Sequence, residues 1–210
     1  DLHDTISIKE INKNKHKVSF IGNFSKNIKK DNTVNKLFEI LEKKKILNNK
    51  KFQVRIKKNI PQEAGLAGGS MNAATILNFL IKKNFIKINQ KKVLQITKLI
   101  GSDVILGINP MTAILSSNGK IKKFFKTPKF NIFLVRPNFG CSTKKIYSEV
   151  KNFTKSKFNN PRKFMFSSKY LSKQKNALEL VAFSRYPKLK KIKFFLKSLN
   201  NPLFVRMTGS

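Results

Sequence analysis

Cysteine is almost missing from this chain. Cys141 stands alone among 210 residues, so no intrachain disulfide can form, and a reducing compartment such as the cytoplasm fits. Tryptophan is absent and only two histidines occur, His3 and His16. Neither forms a metal-binding or triad pattern with Cys141, and both are read as structural or solvent-facing. No apolar run approaches the roughly 20 residues needed to span a membrane. Asp1 to Glu10 show no signal-peptide layout and open directly on a strand-like stretch.

Negative charge is equally scarce. Ten acidic residues face 45 Lys plus Arg, giving a formal net charge of +35 and a pI near 10.5. Such a balance can mark a nucleic-acid or anionic-surface binder. Three features favour compositional drift instead. Lys, Asn, Ile and Phe are enriched together, as AT-rich codons would produce, and the lysines spread along the whole chain. Arginine, the residue that forks onto bases and phosphates, is rare. A general attraction for anionic small molecules remains, screened by salt.

With 40% apolar residues the chain can build one or two cores. Strands are expected at Thr5–Lys9, Lys17–Ile21 and around Phe52, Val54 and Ile56, which alternate with polar neighbours. Asp31-Asn32-Thr33 offers caps for a helix with Val34, Leu37, Phe38 and Leu41 on one face. A second helix follows Ser70, and a third covers Gln90–Ile100 with Gly101 as its C-cap. Shorter strands are expected at Thr112–Leu115, Ile121–Phe125 and Phe130–Val135, helices at Asn176–Phe183 and Pro187–Leu199, and a last strand near Val205. Lys151–Lys175 is polar and basic and is expected to contain a long surface loop, and no internal repeat is visible. The domain boundary falls near residue 125.

The most informative run is Pro61-Gln-Glu-Ala-Gly65-Leu66-Ala67-Gly68-Gly69-Ser70-Met71-Asn72-Ala-Ala. A strand leads in, glycines turn the chain, and Ser70 is read as the N-cap of the helix leading out. Glycines allow close backbone approach to an anion, and free N–H groups at a helix start point toward it. The run lacks the Lys-Ser/Thr ending of a P-loop and the following strand and acid of a dinucleotide fold. Gly101-Ser102-Asp103-Val104 places a second candidate, a carboxylate, just past a helix end.

The glycine run resembles the second motif, P-x-x-x-G-L-G-S-S, of the galactokinase, homoserine kinase, mevalonate kinase and phosphomevalonate kinase (GHMP) superfamily. The closer resemblance is to its 4-diphosphocytidyl-2-C-methyl-D-erythritol kinase family, I-P-x-x-x-G-L-G-G-G-S-S-N-A-A. Ala67 replaces a glycine, a small change unless φ must be positive, and Met71 replaces the second serine. The resemblance implies that Pro61, Gly65, Leu66, Ala67, Gly68, Gly69, Ser70 and Asn72 hold ATP, with Ser70 a candidate Mg²⁺ ligand. Gly101-Ser102-Asp103-Val104 resembles G-[AS]-D-V-P, which makes Asp103 the catalytic base. Ile105 stands at the proline, and Ala113 and Gly119 match small positions downstream. Asp1-Leu2-His3-Asp4-Thr5-Ile6 resembles the family's first strand entry. Asp31-Asn32-Thr33-Val34 resembles D-N-L-V near the adenine pocket, although capping explains Asn32 as well. Lys58 matches a basic residue near the nucleotide. Pro137, Ser142, Thr143 and Tyr147 resemble P-x-x-x-x-S-T-x-x-V-Y, implying substrate contact by Thr143 and stacking of Tyr147 on cytosine, with core packing the alternative for Tyr147. Asn176-Ala177-Leu178-Glu179 resembles N-D-L-E and suggests helix packing.

The implied fold is α+β with two domains: 1–125, like the second domain of ribosomal protein S5 and carrying ATP, and 126–210, a C-terminal α+β layer. The implied reaction is ATP- and Mg²⁺-dependent phosphorylation of the 2-hydroxyl of 4-diphosphocytidyl-2-C-methyl-D-erythritol, a small-molecule substrate, in cytoplasmic isoprenoid synthesis by the non-mevalonate route. The family's A-K-[IL]-N-L and G-Y-H segments do not occur, and its T-G-S-G motif stops at Thr208-Gly209-Ser210, so the chain reads as a piece cut at both ends. The missing lysine assists phosphoryl transfer in the family, so such a piece could hold ATP without turning it over. Two alternatives stay open: a homoserine- or mevalonate-type kinase, and a basic nucleic-acid binder on an inactive kinase scaffold. Oligomeric state is not legible.

Overall fold

The computed structural model describes residues 2–152 and 155–209, with the side chains at 143 and 144 also outside the described set. The chain forms two compact units: Asp1–Gln62 with Ala67–Pro110, and Glu63–Leu66 with Met111–Ser210.

The first unit is organised by β3 (Lys51–Lys57). Phe52, Val54 and Ile56 point to one side of it and are fully buried. β1 (Thr5–Ile11) pairs antiparallel to it, Ile8 opposite Val54 and Ile6 opposite Ile56. β2 (Lys17–Ile21) pairs parallel on its other edge, Val18 opposite Val54. The parallel pair requires a crossover, which α1 (Thr33–Lys43) supplies. Asn32 caps α1, its Oδ1 accepting from Val34 N and Asn35 N at 3.1 Å each. Val34, Leu37, Phe38 and Leu41 are buried as the spacing predicts. α2 (Gly68–Lys82) and α3 (Gln90–Ile100) complete the layer over the sheet, adding Ile76, Leu77 and Leu80 from one and Val93, Ile96 and Ile100 from the other. Gly101 ends α3 in extended backbone, φ 173°, not in the left-handed form a capping glycine often takes.

His16 staples the β1–β2 connection to this core. Its ring stacks on Phe38 at 4.2 Å, its Nδ1 accepts from Phe52 N at 3.0 Å, and its Nε2 lies 3.1 Å from Glu42 Oε1. A structural role was expected for it, and this is that role.

The second unit contains a two-stranded hairpin, β4 (Ala113–Leu115) and β5 (Ile121–Lys123), turned at Gly119 with φ 76°. Its helices are α4 (Thr143–Ser148), α5 (Ser168–Lys173), α6 (Glu179–Arg185) and α7 (Pro187–Ser198). Ile146, Leu178 and Ala182 form a small core with Cys141, Val150, Tyr186 and Met207 against it.

Several expectations are corrected here. Phe130–Val135 is not a strand: Ile132 and Phe133 are 78% and 85% exposed, and an extended segment without a paired neighbour earns no ladder. The region near Val205 is likewise irregular. Beyond the loop expected in the 151–175 stretch, Lys163–Phe166 forms a 3-10 turn and α5 follows it, capped by Ser167 through Tyr170 N. The helix expected from Asn176 begins at Glu179, since Asn176 Oδ1 accepts from Leu178 N and holds an open turn. α7 is helical with Pro187 in its first turn, but none of its residues is buried.

Candidate active site

Ser70 does not cap α2. The helix starts two residues earlier, and the N-cap is Ala67, held left-handed at φ 52°, ψ 23° with no side-chain cap bond. Ser70 is therefore the third residue of the helix, among amides that have no acceptor within it. The first bond of the helix is Met71 N to Ala67 O, 2.9 Å. Bare amides at the positive end of a helix, with glycine at two of the positions, form an anion-receptive terminus. The φ at Ala67 answers the question its substitution raises: this position does use positive φ, and alanine adopts it under strain.

A buried ion pair lies directly beside this terminus. Lys58 is 4% exposed, and its ammonium pairs with the carboxylate of Asp4. Asp4 Oδ1 also accepts from Asn59 N and Ile60 N at 2.8 Å each, and Oδ2 from Asn72 Nδ2 at 2.8 Å. Burial alone would push the Asp4 carboxyl up, but the bond from Lys58, the two backbone amides and Asn72 outweigh it and hold the carboxyl below its usual range. A Cβ added at Gly68 would lie 3.4 Å from Lys58 Nζ. Thus Lys58, Gly68 and Asn72 do come together, around an acid that sequence reasoning had passed over as part of a strand entry. Lys58 and Asn72 spend their polar groups on Asp4 in this structure.

Asn32 is equally committed. Besides capping α1, its Nδ2 donates to Lys29 O at 2.8 Å and Lys30 O at 3.2 Å. The residue after it carries a contact that was not anticipated: Thr33 Oγ1 donates to Gly69 O at 2.7 Å and ties the start of α1 to the start of α2.

Asp103 opens a 3-10 turn, Val104–Gly107, that is pinned to α2. Asn78 Nδ2 donates to Gly107 O at 3.2 Å and Ile108 O at 2.9 Å. Gly107 sits so close that an added Cβ would be 2.7 Å from Ala74 Cβ and 3.0 Å from Met71 Sδ. Met71 therefore packs toward the Asp103 turn. The carboxylate of Asp103 is half-exposed and accepts from Ser102 Oγ at 3.1 Å. Ile105, at the proline position, leaves this turn formed, with Ile108 N donating to its carbonyl.

In the second unit the turn Glu63–Leu66 is tight. Glu63 and Gly65 have φ 52° and 65°. A Cβ on Gly65 would be 2.6 Å from Thr208 O, and Thr208 Oγ1 donates to Ala64 O at 2.6 Å. Glycine is thus required at 65 both by φ and by space. Tyr147 lies on α4 with 44% of its surface exposed, and Leu66 is half-buried, as is Pro61 in the first unit. Thr143 opens α4, but its side chain lies outside the described residues.

Among the described residues no cluster of three His, Cys, Asp or Glu could hold a metal ion, and no helix is long and apolar enough to cross a membrane. Surface hollows of about 360 Å³ among the described residues, one beside Lys45 and Asn89 and one beside Glu10 and Lys51, contain no residue of the glycine run and not Asp103.

The start of α2, capped by left-handed Ala67 and packed against a carboxylate-bearing turn on a three-stranded mixed sheet, is that of a kinase of the GHMP type. The family described as GHMP kinases N terminal domain matches residues 32–116. The 4-diphosphocytidyl-2-C-methyl-D-erythritol kinase of Pelagibacter ubique (strain HTCC1062) is 57% identical over 210 residues, 100% of this chain and 75% of that protein. The enzyme of the same name from Petrotoga mobilis (strain DSM 10674 / SJ95) is 36% identical over 188 residues, 86% of this chain and 72% of that one. A crystal structure of 4-(cytidine 5'-diphospho)-2C-methyl-D-erythritol kinase superposes with a TM-score of 0.70 at 20% identity, covering 99% of this chain and 74% of that one, and shares the fold. The chain belongs to the 4-diphosphocytidyl-2-C-methyl-D-erythritol kinase family.

Proposed function

We propose that the protein phosphorylates the 2-hydroxyl of 4-diphosphocytidyl-2-C-methyl-D-erythritol with ATP, in the cytoplasm. The single observation that carries this is the 57% identity, along the whole chain, to a kinase of that name. In this reading the run Gly65–Ser70 cradles the phosphates, through backbone amides at the glycine turn and the bare start of α2. Asp4 neutralises Lys58, so the helix start keeps its shape with an ammonium buried next to it. Asp103 accepts the proton of the acceptor hydroxyl as its oxygen bonds to the γ-phosphorus and the bond to the β-phosphate oxygen breaks. By their match to the family motif, Tyr147 and Thr143 are assigned to the cytidine end of the substrate. Magnesium fits only as a companion of the nucleotide: Ser70 would give one oxygen, the rest being phosphate oxygens and water, and the ion would offset phosphate charge.

The test is ATP-dependent phosphorylation of this substrate measured beside homoserine and mevalonate. Activity confined to the diphosphocytidyl compound is expected. Asp103→Asn should lower kcat by about 10²–10⁴-fold, the usual worth of a positioned base. Unchanged turnover in that variant sinks the base assignment, and activity on homoserine or mevalonate alone sinks the substrate.

A further inference from the structure

Asn176 and Glu179 were expected to do no more than pack a helix, yet their polar atoms are turned to a distant part of the chain. Glu179 is 7% exposed in the second unit. Its Oε1 accepts from Met207 N at 2.8 Å, and its Oε2 pairs with Lys193 of α7. Asn176 Nδ2 donates to Met207 O at 3.1 Å and to Gly209 O, while its Oδ1 is held by Leu178 N. Arg206, the residue before this segment, donates to Leu171 O at 3.1 Å and Gln174 O at 3.0 Å. The backbone of 207–209 is thus gripped at an amide and two carbonyls by side chains of one short motif.

What that grip controls is the glycine turn. Thr208 Oγ1 donates to Ala64 O at 2.6 Å. A Cβ on Gly65 would strike Thr208 O at 2.6 Å and Gly209 N at 2.9 Å, and a Cβ on Gly209 would lie 3.1 Å from Gly65 Cα. The two backbones touch with no side chain between them, so a shift of Thr208-Gly209 must move Ala64-Gly65. Gly209 itself is left-handed, φ 79°, which keeps the contact dependent on an imposed backbone shape.

We propose that Asn176 and Glu179 are positioning residues for nucleotide binding: they form a strut that fixes Met207–Gly209, and through Thr208 and Gly209 fix the glycine turn at Ala64-Gly65. The inference rests on the reading above that this turn cradles the phosphates. It assigns the second half of the chain a part in that cradle which depends on hydrogen-bond chemistry and not on charge. Met207 N–H needs an acceptor at position 179, which an amide oxygen satisfies as well as a carboxylate. Asn176 must donate, which a carboxylate cannot do.

Nucleotide affinity by equilibrium binding, kcat and the KM for each substrate, and hydrogen exchange at Met207 and Thr208 test this together. Glu179→Leu and Asn176→Asp should weaken ATP binding about tenfold or more, leave the KM for the phosphate acceptor within about twofold, and speed exchange at Met207. Glu179→Gln should recover most of the affinity, because Lys193, 22% exposed along its side chain, can turn to solvent. Thr208→Val, at an exposed position where folding is not at stake, should weaken ATP severalfold. Parent-like ATP affinity in Thr208→Val and in a folded Glu179→Leu overturns the proposal, as does a Glu179→Gln no better than Glu179→Leu. A parent protein that binds no nucleotide overturns the kinase reading itself; exchange at Met207 then still decides whether the strut exists.

Discussion

Replacing Asp4 by Asn should be among the most damaging conservative changes in the first unit. The side chains of Lys58 and Asp4 are 5% and 1% exposed, so neither charge has water to fall back on. In Asp4→Asn one oxygen still accepts from Asn59 N and Ile60 N. The other becomes an NH₂ group facing two donors, Lys58 Nζ and Asn72 Nδ2. Removing one partner of a buried ion pair strands the other and costs about 3–5 kcal/mol. Against a typical domain stability of about 5–15 kcal/mol, that is a third or more. Lys58→Met should cost less, about 1–3 kcal/mol, because Asp4 keeps three N–H donors. The double variant should be less destabilised than the sum, by at least about 1 kcal/mol, since no buried ammonium remains. Urea denaturation of the three variants measures this. The pH dependence follows from the lowered Asp4 carboxyl. Its contribution is complete above the unfolded value, near 3.8, and is lost as pH falls through the lower folded value. Wild type should therefore show an acid-side loss below about pH 4 that Asp4→Asn lacks. A cost below about 1 kcal/mol for Asp4→Asn, or simple additivity with Lys58→Met, refutes the reasoning.

Ala67→Gly should stabilise the first unit by about 0.5–1 kcal/mol, because relief of a left-handed alanine, about 1–2 kcal/mol, exceeds the added freedom of the unfolded chain; a lower denaturation midpoint would contradict the role given to φ at 67. Gly65→Ala should lower ATP affinity at least about tenfold in a binding titration, since its Cβ meets Thr208 O at 2.6 Å and its φ is 65°; unaltered affinity would remove the turn from the site. His16 is pushed below its ordinary value of 6.5 first by burial, with Lys51 adding to the effect and Glu42 opposing it. The unfolded chain takes up the proton first, so His16 contributes full stability above about pH 6.5 and loses it as pH falls toward the folded value. His16→Leu should flatten the stability profile between pH 7 and 5, read by thermal melts; a parallel profile would show that His16 does not titrate on unfolding.

Helices were legible where caps and periodicity agreed. The Asp31-Asn32-Thr33 caps and four apolar residues at helical spacing marked the start and the buried face of α1, and β3 followed from strict alternation at Phe52, Val54 and Ile56. Phe130–Val135 has the composition of a strand, but whether it pairs depends on a neighbour that local sequence does not encode. The cap of α2 was misplaced for a related reason. Serine is a good capping residue and alanine a poor one, so propensity points to Ser70, whereas the glycine turn delivers the chain to Ala67 in a left-handed shape. The Asp4–Lys58 pair was hidden by 54 residues of separation and by the sheer number of lysines. One signal could have found it: in a chain this poor in acids, an acid next to a strand that becomes buried needs a cation.

That scarcity gives the placement of the acids its meaning. With ten carboxylates against 45 basic residues, any exposed lysine can be left to water, but a buried carboxylate competes for no shortage of partners and is retained for what else it holds. Among the described residues, Asp4 and Glu179 have buried carboxylates paired with a lysine. Asp4 collects two backbone amides and Asn72 near the start of α2, and Glu179 collects the Met207 amide behind Thr208-Gly209. Each carboxylate braces a segment of the glycine run from within its own unit, and in each the cation supplies neutrality while the backbone amides carry the geometry. Asp103 differs in kind. Among the described residues its carboxylate takes a hydroxyl from Ser102 and no ammonium, on a turn that Asn78 fixes to α2. In the proposed reaction Asp103 is the base, and a carboxylate with no lysine partner among the described residues leaves room for an acceptor hydroxyl.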